Sequence, residues 1–258
     1  MIRRVAYLTV VASIAALLAG CAMNFISGGE QRASWREVAE QSCMESRQDS
    51  PFVVAAKEID GRGACGITHP LQISAFAAGY IAVTPTAEVG CPIADAVDRW
   101  LRESVEPAAM AWFGQSVTGI KQIDDYTCRT RNSVHGAKMS EHAYGNALDV
   151  AGFILEDGTT VLVRTGWRGT APQRGFLREV EATACQRFST VLGPGAPYHG
   201  DHFHVDLARR SQSGRSFCDP KPQVVPPDRG PYTPVRNAGL TDPNDPGYTG
   251  SIMRAQVQ

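Results

Sequence analysis

The chain has 258 residues, 25 of them Lys or Arg and 26 Asp or Glu, for a formal net charge of −1. So even a balance leaves no electrostatic footprint for nucleic acid. With 43% apolar and 20% charged residues, the composition is that of a folded globular protein and not of a disordered or fibrous one.

The N-terminus reads as a targeting segment. Met1-Ile2-Arg3-Arg4 is a basic start, residues 5–18 are an apolar run, and Leu18-Ala19-Gly20-Cys21 has the form of a lipobox. At such a site a bacterial lipoprotein is cut and its new N-terminal Cys acylated. The segment predicts a signal peptide over 1–20, lipidation at Cys21 and a small, polar tether to residue 42. A plain signal peptide is the nearest rival; an uncleaved membrane-spanning helix fits less well because the run is short. Losing residues 1–20 removes Arg3 and Arg4 and no acidic residue, so the formal charge moves from −1 to −3. Several acyl chains hold a protein stably at a membrane where one does not. Ala22, not Asp, follows the Cys; by analogy with enteric bacteria this places the protein on the outer membrane, facing the periplasm.

A first helix is predicted over 33–46. Residues 91–113 read as helical, with Ile93, Val97, Trp100, Leu101, Val105 and Met110 at three- and four-residue steps, and Pro107 as a break or kink. Another helix is predicted over 176–192, stopped by Gly193-Pro194-Gly195. Strands are predicted over 79–84, 117–123, 148–155, 159–164 and 202–207, with Glu156-Asp157-Gly158 as a hairpin turn. Beyond Cys21 six cysteines remain: Cys43, Cys65, Cys91, Cys128, Cys185 and Cys218. An even, dispersed set in an exported chain predicts three disulfides, their pairing left open. Residues 43–218 hold all six and suit one domain with a full core. From Asp219 to 258 the chain turns rich in Pro, Asp and Gly and reads as a disordered tail. The expected class is α+β: a small, mainly antiparallel sheet with flanking helices, stabilised by disulfides.

Four of the six histidines fall in two polar clusters, Ser140-Glu141-His142-Ala143-Tyr144-Gly145-Asn146-Ala147-Leu148-Asp149 and His199-Gly200-Asp201-His202-Phe203-His204. Alternate side chains of a strand share a face, so His202 and His204 point one way, Phe203 and Val205 the other. Asp149 lies in a small, apolar run where a buried carboxylate needs a partner, and a metal ion is one. The turn Tyr144-Gly145-Asn146 lets His142 reach the same ion. Two His and an Asp are ligands that a catalytic zinc takes while keeping a position open for water. The plainer reading is a hydrogen-bonded His142–Asp149 pair with surface histidines elsewhere. It accounts for any single histidine, but poorly for two such clusters in one small domain.

The pattern Ser-x-His-x-x-Gly-x-Ala-x-Asp followed by His-x-His resembles the zinc D-Ala-D-Ala peptidase group, related to lysostaphin-type and hedgehog-type domains. With Cys65-Gly66-Ile67, Tyr126-Thr127-Cys128-Arg129 and Leu192-Gly193-Pro194-Gly195, the stretch from Cys43 to Cys218 more narrowly resembles the bacterial extensin-like C-terminal family. The resemblance implies a zinc D-Ala-D-Ala peptidase-like fold and one Zn2+ ion held by His142, Asp149 and His204. It implies His202 as the proton-handling residue, with Asp201 as the alternative. Related peptidases often carry a Glu at position 201; Asp is one methylene shorter and, in a strand regular from 201, faces away from the metal. Glu141 reads as a helper or an exposed charge. Arg129 stands where relatives carry an Arg that binds a peptide carbonyl or carboxylate, a part that Arg131 could take instead. Ser140 reads as a substrate contact or as a cap on the turn before His142. His199 and Asp206 read as residues that orient a ligand imidazole, with His199 equally readable as a loop histidine outside the site.

The implied function is a zinc-dependent peptidase acting on peptidoglycan stem peptides or cross-links from a lipid-anchored position. A different class of reading is a non-catalytic, zinc-containing wall-binding or scaffold lipoprotein. A metal-free structural domain would make both motifs coincidental. The expected partners are peptidoglycan and a membrane, with an activator protein left open and nucleic acid excluded.

Overall fold

The computed structural model describes residues 31–210 and 216–222; the expected signal peptide, Cys21 and nearly all of the expected tail lie outside them. Helix α1 spans Trp35–Ser46. Strands β1 (Val53–Ala55), β2 (Ile59–Asp60), β3 (Gly66–Ile67), β4 (Pro70–Phe76) and β5 (Ile81–Gly90) follow. Then come α2 (Cys91–Trp100), a π-helical turn (Leu101–Val105) and α3 (Glu106–Phe113). The remaining elements are β6 (Val117–Asp124), β7 (Ala147–Leu155), β8 (Thr160–Leu162), α4 (Val163–Gly166), α5 (Ala171–Ala184), β9 (Thr190–Leu192), β10 (Phe203–Asp206) and β11 (Phe217–Asp219).

The main sheet runs β1-β4-β5-β6-β7-β10-β9-β11, with β8 added beside β7. Its pairings are antiparallel except β5 with β6 and β9 with β11. The class is therefore the expected one, α+β with a mainly antiparallel sheet and flanking helices. Strand β7 is the axis of the sheet. Its first half pairs with β10 and its second with β8, while β6 lies along its other edge. A β-bulge at Ala151 skips one residue against β6, so Phe153 joins Leu148 and Val150 in the hydrophobic core. There Trp100 meets Phe153 and Phe188 edge-to-face at 6.1 and 5.8 Å, and Phe176 stacks edge-on against Phe153 at 5.2 Å. Helices α2, α3 and α5 thus close one face of the sheet.

Three disulfides form: Cys43–Cys91 ties α1 to α2, Cys65–Cys128 ties the segment after β2 to the loop after β6, and Cys185–Cys218 ties the end of α5 to β11. Residues 91–113 form a continuous helical run, as expected. Pro107 enters as the second residue of α3, and the wider π turn before it takes up the missing N–H and the clash with the preceding turn.

Several boundaries differ from expectation. The helix expected over 176–192 is Ala171–Ala184, begun by a capping box between Thr170 and Gln173. Thr190–Leu192, its expected last turn, is instead strand β9, whose partner β10 offered Thr190 and Val191 a pleated surface that suits β-branched side chains. The strand expected over 79–84 runs Ile81–Gly90, because Ala77–Gly79 form a 3-10 turn. The strand expected over 159–164 stops at Leu162, where α4 begins. Helix α1 falls within the expected 33–46 and buries Arg36 and Glu40, so the last part of the segment expected as a tether is packed structure.

Candidate metal centre

The register that packs the core also sets the site. Across β7 and β10, Val205 faces Leu148 and Phe203 faces Val150 as core pairs, and between them His204 stands directly opposite Asp149. On β10 the alternation is complete: Phe203 and Val205 enter the core, and His204 and Asp206 face the other way, with His202 just ahead of the strand. His142 arrives from a 3-10 turn, Glu141–Tyr144, that closes on Gly145 in the left-handed region at φ 60°. A Cβ there would lie 2.1 Å from Ile67 Cδ1, so both conformation and space require glycine.

The three residues converge. Nε2 of His142 lies 3.2 Å from Oδ1 of Asp149 and 3.0 Å from Nδ1 of His204, and that Nδ1 lies 2.8 Å from the same Oδ1. His142, Asp149 and His204 are 1%, 4% and 7% exposed. The opposite nitrogens are already committed. Nδ1 of His142 donates to the Asp125 carbonyl at 2.6 Å, and Nε2 of His204 donates to Oδ2 of Asp206 at 3.2 Å. A carbonyl and a carboxylate only accept, so the inward nitrogens of the neutral imidazoles present lone pairs. Two nitrogen lone pairs and a carboxylate oxygen at one buried point are the donor set of a divalent cation, oriented by hydrogen bonds from behind.

In the protein alone, a proton on His204 takes that place. Burial works against charging His204, but hydrogen bonds to Asp149 and Asp206 outweigh it and push its pKa up to about 10. Burial would raise Asp149, yet the imidazoles of His142 and His204 hold it far below the usual carboxylate range. Asp206, likewise buried, is lowered by its hydrogen bond to His204. The cluster is electrostatically self-consistent and concentrated on one point.

A search against protein families matches residues 41–219, more than half of the chain, to the extensin-like protein C-terminus. The chain belongs to that family. A stretch of 79 residues is also 33% identical to the zinc D-Ala-D-Ala carboxypeptidase of Streptomyces albus G, covering 31% of this chain and 23% of that protein. The chain thus spans less than a quarter of that relative. No solved structure matches the chain.

Around the ligands, the extensin-like domain opens a cavity of about 460 Å³ lined by Arg129, Arg131, Ser140, Tyr198, His199, His202 and Arg210 among others. His202 is buried. Its Nδ1 lies 2.9 Å from Oδ1 of Asp201, and its Nε2, 3.4 Å from Oδ2 of Asp149, has no hydrogen-bond partner. Asp201 precedes β10, so the strand geometry that would turn it away does not apply; it reaches His202, not the ligands. His199 is inside the site and not a bystander: it is buried, donates from Nδ1 to the Pro197 carbonyl at 2.6 Å, and sets its ring 5.0 Å from that of His202. Desolvation lowers its pKa.

The two arginines divide. Arg129 is half-buried and spends its guanidinium on Asp124 at 2.6 Å, whereas Arg131 stands exposed on the cavity wall. Ser140 caps the turn by accepting from the His142 amide at 3.4 Å, and it also lines the cavity. Glu141 is not an exposed charge; it is buried in a bidentate ion pair with Arg36 at 2.8 and 2.9 Å. Sequence reasoning missed Asp125, whose contribution is a backbone carbonyl and carries no residue signature. It also missed Tyr198, Asn132 and Ser133, non-glycine residues at φ 67°, 52° and 56° that line the cavity.

Proposed function

We propose that the protein is a zinc-dependent peptidase acting on peptidoglycan stem peptides or cross-links from a lipid-anchored position in the bacterial envelope. The observation that carries this reading is the convergence of His142 Nε2, Asp149 Oδ1 and His204 Nδ1 beside the unpartnered Nε2 of His202. Zinc held by those three atoms would supply Lewis acidity, activating water and polarising a carbonyl.

The remaining steps belong to the protein's own groups. Asp201 accepts a hydrogen bond from Nδ1–H of His202, which leaves Nε2 as the lone pair that takes a proton from water and returns it to a leaving amine. Asp201 and His202 then act in series, with His202 the residue at the reacting atoms. Arg131 has no ion pair or hydrogen bond from its guanidinium among the described residues, and a guanidinium on the cavity wall suits a peptide carboxylate. Arg129, held by Asp124, supports the wall on which Arg131 sits.

The test is digestion of murein sacculi by the zinc-loaded protein, with His204→Ala alongside and released muropeptides identified by mass. Products from the wild type alone establish a wall peptidase and name the bond. Stoichiometric zinc with no product points instead to the wall-binding scaffold. Anchoring is tested separately, by metabolic labelling with an alkyne fatty acid that Cys21→Ser should abolish.

A further inference from the structure

The sequence clusters say nothing about what holds the turn that carries His142. That turn has no strand partner of its own, and it is gripped from outside by α1. The Arg36 guanidinium pairs with both carboxylate oxygens of Glu141, at the first position of the turn, and lies 3.7 Å from the ring centroid of Tyr144, at the last. One buried cation therefore spans the turn whose second residue is His142. Glu141 is satisfied further by Asn146, whose side-chain amide donates to Oε2 at 2.6 Å and whose backbone amide donates to the Glu141 carbonyl at 3.0 Å. Trp35 extends the grip. Its ring faces Arg36 at 4.5 Å and Arg209 at 4.4 Å, and Arg209 lies just past β10, the strand that carries His204. The start of α1 thus touches the turn that carries His142 and the segment that follows the strand of His204.

We propose that Arg36 is a positioning residue for the metal centre, acting through Glu141 and Tyr144 on His142. The inference rests on the zinc reading above and adds to it a support from outside the family match, which begins at residue 41. Arg suits this task and Lys does not: the planar fork matches a carboxylate with two hydrogen bonds while its face stacks on a ring. Helix α1 is itself fixed by the Cys43–Cys91 disulfide and by Glu40, which accepts from the backbone amides of Thr68 and His69. The brace is therefore anchored to the body of the fold.

The experiment measures zinc affinity of the full chain by competition with a chromogenic chelator, at a temperature well below every melting point. Removing hydrogen-bonded support behind a ligand typically weakens metal binding about 10–100-fold, and Arg36→Met should fall in that range. Arg36→Lys should be intermediate. Phe176→Leu, in the core against Phe113 and Phe153, should lower Tm while leaving zinc affinity unchanged. Should Arg36→Met fail to fold, Trp35→Leu, which keeps the ion pair and removes the ring stacked on it, should still weaken zinc binding. Folded Arg36 or Trp35 variants with wild-type zinc affinity overturn the proposal, as does an affinity that simply follows Tm and falls equally in Phe176→Leu. A wild-type protein that binds no zinc is a different outcome, and it overturns the metal reading as well.

Discussion

Replacing Asp149 by Asn separates a metal centre from a metal-free hydrogen-bonded cluster. The change keeps the shape and removes the charge at the atom that touches both ligand nitrogens, in a side chain only 4% exposed. Without metal, the variant loses the charge-assisted hydrogen bond from His204. Bonds to charged groups contribute about 1.5–3 kcal/mol. A loss of about 3 kcal/mol lowers Tm by roughly 6–12 °C for a folded unit of this size. Both readings share that result. They part when zinc is added: at a hundred times its Kd, zinc stabilises the folded state by about 2.7 kcal/mol. That is a rise of roughly 5–11 °C in the wild type, and the Asp149→Asn variant should show almost none of it. Calorimetry in chelator and then in excess zinc, on both proteins, gives the four melting points. A wild-type Tm indifferent to zinc, or an undiminished zinc response in Asp149→Asn, would refute the reasoning.

Other expectations concern proton handling, a buried acid and the independence of fold from metal. His202→Ala should lower kcat roughly 10²–10⁴-fold with zinc affinity retained, and Asp201→Asn should fall between it and the wild type; steady-state kinetics beside the chelator titration check both. Glu181 is 2% exposed, and burial, opposed by Arg178 and reinforced by Asp219, pushes its pKa from 4.5 up to about 7. The unfolded chain ionises first, so stability falls as pH rises from 4.5 to about 7 and is level above it. Glu181→Gln should therefore gain up to about 3 kcal/mol over wild type at pH 8 and nothing at pH 4, read from urea unfolding. Chelation should abolish hydrolysis reversibly while near-UV circular dichroism persists, since the aromatic core and three disulfides lie apart from the ligands.

The candidate ligands were legible because each cluster is local in sequence. His-x-His needs only the two-residue period of a strand, and Asp149 announces itself as a charge in an apolar run. What joins the clusters is not local. The pairing of His204 with Asp149 depends on sheet register, and the carbonyl of Asp125 has no side-chain identity to read. Glu141 read as a helper or an exposed charge because its partner, Arg36, stands 105 residues earlier. The strand β4 was missed although its burial alternates, with Leu71, Ile73 and Ala75 inward and Gln72 and Ser74 outward; its pattern was readable. The over-long helix at 176–192 has a different cause. Thr190-Val191-Leu192 continues an apolar helical period, and only pairing with β10 makes it a strand.

The candidate ligands differ in how they are held, and this decides where remote changes act. Asp149 and His204 inherit their positions from the core: a one-residue slip of β10 on β7 would turn Phe203 and Val205 out of the core and His204 and Asp206 into it, so the hydrophobic face fixes the register. His142 has no such guarantee. Its turn depends on a left-handed Gly145 pressed against Ile67, on the Asp125 carbonyl behind its ring, and on a guanidinium from another element. Substitutions far from the cavity therefore reach the metal centre chiefly through His142, whereas Asp149 and His204 fail only when the sheet does.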